Sequence, residues 1–120
     1  MLVEDDKPLR EILKRTLEKE GCTVVEADNG QMALERVVER RPGLVLLDLM
    51  MPQMDGFQFV EELRKRQEWR RIPVVVITAK DLTEEDHRRL SGGVEQIVQK
   101  GAQSRQELLR ELRELVAAVR

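Results

Sequence analysis

Acidic side chains gather near the start of the chain as Glu4-Asp5-Asp6, and a further aspartate, Asp48, follows directly on the apolar run Leu44-Val45-Leu46-Leu47. A second apolar run, Val74-Val75-Val76-Ile77, ends in the hydroxyl of Thr78, and a weaker one through Ile97 and Val98 leads to Lys100. Carboxylates crowded together cannot all stay ionised without a counter-charge. A hard divalent cation supplies it, and Mg²⁺ takes one or two carboxylates together with waters and a phosphate oxygen. Such an ion draws a phosphorylated donor to the acids and neutralises charge on a transferring group. Asp48, closing a buried strand, is then the natural carboxylate nucleophile. Thr78 offers a hydroxyl to a phosphoryl oxygen, and Lys100 a point positive charge.

Chemistry of this kind needs the four chain segments brought to one rim, and the hydrophobic pattern provides for it. Short apolar runs alternate with segments of helical period. Leu2 and Val3 form a first, very short strand. Leu9, Ile12, Leu13, Thr16 and Leu17 make one face of a helix that tolerates Pro8 in its first turn and stops at Gly21. Thr23-Val24-Val25 reads as a strand and Ala33, Leu34, Val37 and Val38 as the inner face of a second helix. The run before Asp48 is apolar on both faces, as a parallel strand covered on each side should be. A helix carrying Phe59, Val60 and Leu63 follows Gly56, then the strand Pro73–Thr78. A short polar helix runs from an N-cap at Thr83 to about Leu90, and a weaker strand occupies Val94 to Gln99. Ser104 and Glu107 have capping-box spacing ahead of a last helix whose stripe is Leu108, Leu109, Leu112, Leu115, Val116 and Val119. Right-handed crossovers between such units give an α/β fold, an open doubly wound parallel sheet in which sites form at the carboxyl ends of the strands. The 120 residues suffice for a single domain over 1-120.

Composition removes several function classes. Lys and Arg number 21 against 23 Asp and Glu, a net charge of −2, so no basic surface is predicted for nucleic acid. Cys22 is the single cysteine, which excludes an internal disulfide and a Cys-rich metal site. No apolar run reaches the roughly 18–20 residues of a membrane span and no signal peptide is visible. A cytoplasmic location is the expectation, with no membrane partner.

The motifs resemble a known family. Leu44 through Gly56, with Asp48 followed by Leu49-Met50-Met51-Pro52-Gln53-Met54-Asp55-Gly56, is similar to the phosphorylation-site loop of response-regulator receiver domains. Val3-Glu4-Asp5-Asp6 resembles the family's acidic pocket, Val76-Ile77-Thr78-Ala79 its hydroxyl-bearing strand, and Lys100 its lysine after the last strand. The resemblance spans nearly the whole chain in the family's order and spacing. It implies a flavodoxin-like sheet of five strands in the order 2-1-3-4-5 with five helices. It also implies a two-component or phosphorelay switch that takes a phosphoryl group onto Asp48 from the phosphohistidine of a histidine kinase or histidine phosphotransfer domain. By the same carry-over Asp5 ligates Mg²⁺ directly, Glu4 mostly through water, Asp48 itself and Met50 through its backbone carbonyl. Thr78 and Lys100 contact the phosphoryl oxygens, and Asp6 is a solvated or helix-start acid. Asp55 caps the following helix and Gly56 frees the turn. Output passes to a downstream effector protein or domain through the face of the fourth helix, last strand and last helix, where Arg88, Arg89 and Arg105 read equally as ordinary solubilising charge, and a homodimer is a further possible partner. His87, among charged neighbours, reads as a surface side chain.

Four features depart from the common pattern. The first strand is short, and marginal stability is expected from it. Gly101 stands where the family often has proline, so a trans Lys100–Gly101 bond is expected. Ile97 stands where many receivers carry an aromatic residue. Gln99 through Leu109 is similar to receivers at the end of hybrid sensor kinases. Three other functions compete. A degenerate receiver acting as a constitutive interaction module would not need Asp5, Asp48, Thr78 and Lys100 together. An Mg²⁺ phosphohydrolase with an Asp nucleophile normally wants a second acid where Met50 stands. Flavin binding wants a phosphate-cradling loop after the first strand, which is missing here.

Overall fold

The computed structural model describes residues 1–49, 54–79, 81–99 and 104–119. Five parallel strands lie in the order β2-β1-β3-β4-β5: β1 (Leu2–Val3), β2 (Glu26–Ala27), β3 (Val45–Leu47), β4 (Val74–Thr78) and β5 (Gln96–Gln99). Between and after them run α1 (Lys7–Lys19), α2 (Gly30–Glu39), α3 (Gly56–Lys65), α4 (Glu84–Leu90) and α5 (Arg105–Val119), with a 3-10 turn at Gln67–Trp69. This is the flavodoxin-like order and element count that the sequence predicts.

Two-residue periodicity in the central strands feeds two separate cores. Val45, Leu47, Val74 and Val76 pack with Ala33, Val37, Phe59, Val60, Leu63 and Leu90 on the α2, α3 and α4 side. Leu46, Val75, Ile77 and Val98 pack with Leu13, Leu17, Leu108, Leu112 and Val116 on the α1 and α5 side. At roughly 25 cal/mol per Å² of apolar surface buried, these aliphatic layers are the main stabilising term.

Helix starts are capped as the sequence suggests. Asp55 and Gln58 form a reciprocal box at α3, and Thr83 and Asp86 form another at α4. The Ser104 hydroxyl accepts from Glu107 N at the head of α5. Asp6, expected as a helix-start acid, is the N-cap of α1. Gly21 ends that helix with φ at 88°, a left-handed conformation that suits glycine. Arg105 opens α5, but its side chain lies outside the description, as does that of Val119.

Two strand boundaries differ from the sequence reading. The β2 ladder is Glu26–Ala27 rather than Thr23-Val24-Val25, because its partner β1 starts at Leu2 and Leu2 is level with Glu26. In that register Thr23 and Val24 have no β1 residue beside them. β5 begins at Gln96, two residues later than Val94, after Glu95 N donates to the Val74 carbonyl at 2.7 Å. Among the described residues no helix is long and apolar enough to cross a membrane.

In this structure the Met1 ammonium is part-buried and donates to the Leu44 carbonyl. Burial pushes its pKa down from 8.0 to about 6, with Cys22 acting in the opposite direction. The folded state thus holds fewer protons than the unfolded chain between these values, and stability rises with pH across the window. Protein made from this sequence with a free Met1 amino group is expected to lose about 2 kcal/mol as pH falls from 8 to 6. The loss begins below the unfolded value and is complete below the folded one. Urea midpoints at the two pH values check this against Nα-acetylated protein, in which the difference should vanish. Equal slopes for the two proteins would refute it.

Candidate functional site

β1 and β3 are paired with Val3 level with Leu47, so the residues that follow, Glu4 and Asp48, leave the sheet side by side. β3 and β4 are paired with Leu47 level with Val76, which sets Thr78 at the same carboxyl edge. The backbone carries these side chains firmly: Asp48 N donates to Val3 O at 3.0 Å and Glu4 N to Ala27 O at 3.1 Å. Relative exposures are 2% for Glu4, 7% for Asp48 and 0% for Thr78, whereas Asp5 is open to solvent. Two carboxylates are therefore buried at one rim with a third at its mouth.

One carboxylate oxygen from each of Glu4, Asp5 and Asp48 lies within 4.8 Å of the others. An octahedral ion with bonds of about 2.1 Å places its opposite ligands roughly 4.2 Å apart, so an all-oxygen set at this spacing suits Mg²⁺ or Mn²⁺ better than a soft metal. Around the acids, Asp6 N donates to a Glu4 carboxylate oxygen at 3.3 Å and Arg10 Nη1 donates to Glu4 O at 2.8 Å. Arg10 also reaches Glu26 at 3.5 Å, tying α1 to β2 behind the acidic strand end. The sequence reading did not pick out Arg10, because its acceptor at Glu4 is a backbone carbonyl.

The structure thus gathers Glu4, Asp5, Asp48 and Thr78 on the same edge. Met50 and Lys100 lie outside the described residues, as does the Lys100–Gly101 bond. Asp55 caps α3 as expected. Gly56, expected to free a turn, serves by close approach instead: a Cβ there would stand 2.6 Å from Leu49 Cα and 2.8 Å from Asp48 O. His87 is exposed on α4. Arg88 is exposed too, but Arg89 is engaged with α3, its guanidinium 2.9 Å from Glu61 and 4.4 Å over the Phe57 ring. Ile97 is half-buried against the core.

Comparison with known proteins gives a consistent result. The family model described as the response regulator receiver domain matches residues 1–113. The N-terminal domain of a response regulator receiver protein from Methanoculleus marisnigri is 33% identical, with 99% of this chain and 95% of that one covered at a TM-score of 0.76. The BeF3-activated receiver domain of Klebsiella pneumoniae RstA is 30% identical, with 94% and 93% covered at 0.77. The Mn²⁺-bound form of response regulator Rcp1 is 25% identical, with 97% and 89% covered at 0.81.

Proposed function

The chain belongs to the response regulator receiver domain family, and on that premise we propose that it is a phosphoacceptor switch in which Asp48 receives a phosphoryl group from a phosphohistidine. The observation that best supports this reading is the meeting of Glu4, Asp5 and Asp48, their oxygens within 4.8 Å of one another, on the sheet edge that Thr78 also reaches. Two relatives fit it: one is described as BeF3-activated and the other as Mn²⁺-bound. Trifluoroberyllate has the shape and charge of a phosphoryl group, and Mn²⁺ takes the same oxygen ligands as Mg²⁺.

Glu4, Asp5, Asp48 and the Met50 carbonyl would hold Mg²⁺, which when bound neutralises charge on the donor and on the group in flight. A carboxylate oxygen of Asp48 attacks phosphorus in line, forming the acyl phosphate as the bond to the donor nitrogen breaks. The Thr78 hydroxyl donates to one phosphoryl oxygen and the Lys100 ammonium pairs with another, both strongest when the added charge has arrived. Water later cleaves the acyl phosphate and restores Asp48. The protein is thus not a conventional enzyme, since the only substrate it turns over is its own side chain. Its donor is a histidine kinase or histidine phosphotransfer domain of the cytoplasm, and its output goes to an effector protein or domain.

Incubation with Mg²⁺ and a small acyl phosphate, followed by intact mass measurement, tests this. One base-labile phosphoryl adduct is expected on the wild type and none on Asp48→Asn. An adduct that survives the substitution, or no adduct on the wild type, would overturn the proposal.

A further inference from the structure

We infer that Gly30 is a positioning residue for Asp48, acting through a chain of backbone approaches too close to admit a side chain. This rests on the reading of Asp48 as the acceptor. Gly30 is the first residue of α2 and is buried. The first N–H groups of a helix have no acceptor within it. Asn29 caps one of them, at Met32, and the Gly30 N–H goes instead to the Met54 carbonyl at 2.9 Å.

A Cβ on Gly30 would lie 2.3 Å from Met54 O, 2.9 Å from Met54 Cγ and 3.0 Å from Met54 C. The backbone angle is not the constraint, because the positive-φ glycines among the described residues are Gly21 and Gly92. Space is the constraint, and the nearest obstacle is a carbonyl that cannot rotate aside as a side chain would. Two residues beyond Met54, Gly56 opens α3 and donates to Leu49 O at 3.1 Å, with the Asp48 carbonyl only 2.8 Å from where a Cβ would stand. The start of α2 therefore fixes Met54. Met54 leads through the Asp55 cap to Gly56, and Gly56 rests on the backbone of Asp48 and Leu49. A methyl group at position 30 must push this stack from behind. Misplacing a nucleophile by about 1 Å can cost as much as roughly 100-fold in rate.

The test compares Gly30→Ala with Gly43→Ala, whose added methyl meets nothing within 4 Å. The phosphorylation rate constant is measured with a small acyl phosphate at saturating Mg²⁺ and expressed per folded molecule, with the folded fraction taken from urea denaturation. Alanine is the better helix former, so a loss in Gly30→Ala traces to the contact with Met54. At least about a tenfold fall is expected for Gly30→Ala and no change for Gly43→Ala. An unchanged rate per folded molecule in Gly30→Ala would leave the glycine a packing residue and overturn the inference. Should Gly30→Ala not fold, amide exchange in the wild type decides. The Gly30 N–H should slow at least about fivefold when Mg²⁺ and trifluoroberyllate are bound, while the exposed Gln31 N–H does not. Equal behaviour of the two amides would overturn it as well. A wild type that takes no phosphoryl group defeats the reading of Asp48 itself, which is a distinct outcome from a phosphorylated wild type matched by Gly30→Ala.

Discussion

Arg64→Ala is expected to lower the stability of the fold by about 2–4 kcal/mol, a large share of the total for a chain of this size. The Arg64 guanidinium is a bracket between three segments. Nη1 donates to Trp69 O at 2.8 Å and Arg70 O at 3.1 Å, Nη2 to Ile72 O at 2.9 Å and Gly93 O at 2.6 Å, and Nε to Gly93 O at 3.0 Å. It joins the C-terminal end of α3 to the 3-10 turn, the entry to β4 and the turn between α4 and β5. Burial lowers its pKa while Glu95 works to raise it. Truncation takes a donor from four carbonyls at once, of which Trp69 O keeps the Ile72 N–H at 3.2 Å. Lysine cannot reproduce a fork, so Arg64→Lys should recover less than half of the loss. Urea denaturation followed through Trp69, which is buried beside one of these carbonyls, measures both variants. A midpoint unchanged in Arg64→Ala would contradict the bracket.

Asp5→Asn is expected to weaken Mg²⁺ binding by about 10–100-fold with little change in stability. Asp5 is exposed, so its side chain contributes little to the fold, but one of its oxygens lies within 4.8 Å of oxygens from Glu4 and Asp48. Removing a unit charge at contact distance from a divalent ion costs several kcal/mol at an effective dielectric near 20, and solvent screening at an exposed position brings that down to about 1.5–3 kcal/mol. Calorimetric titration with Mg²⁺ reads the affinity directly, and a change under about twofold would remove Asp5 from the ligand set. Glu4 offers a contrast. It is buried, so a substitution there would mix loss of the ion with loss of packing.

Much of this was legible in the sequence, for reasons that differ from residue to residue. β3 and β4 stood out because a strand covered on both faces must be apolar throughout, and Val45-Leu46-Leu47 and Val74-Val75-Val76-Ile77 are. Asp48 and Thr78 stood out because each is a polar residue closing such a run. β2 was misplaced by the sequence reading because Thr23-Val24-Val25 has the stronger β composition, whereas the ladder follows the register set by Leu2 against Glu26. The roles of Arg64 and Arg10 had no sequence signature, since their acceptors are main-chain carbonyls. Gly30 carried no signal either: its constraint is the approach of Met54, a segment distant in sequence. For Gly56 the position was read correctly but the cause was not, because turn chemistry and close approach both call for glycine.

Asp48 is proposed to be the one carboxylate that takes the phosphoryl group. Borohydride reduction after treatment with Mg²⁺ and a small acyl phosphate tests it most directly, because it converts an aspartyl phosphate to homoserine and leaves a free carboxylate untouched. Peptide sequencing by mass spectrometry should find homoserine at position 48 and at no other acid. Homoserine at Asp5 or Asp6, or intact aspartate throughout, would rule out Asp48 as the acceptor.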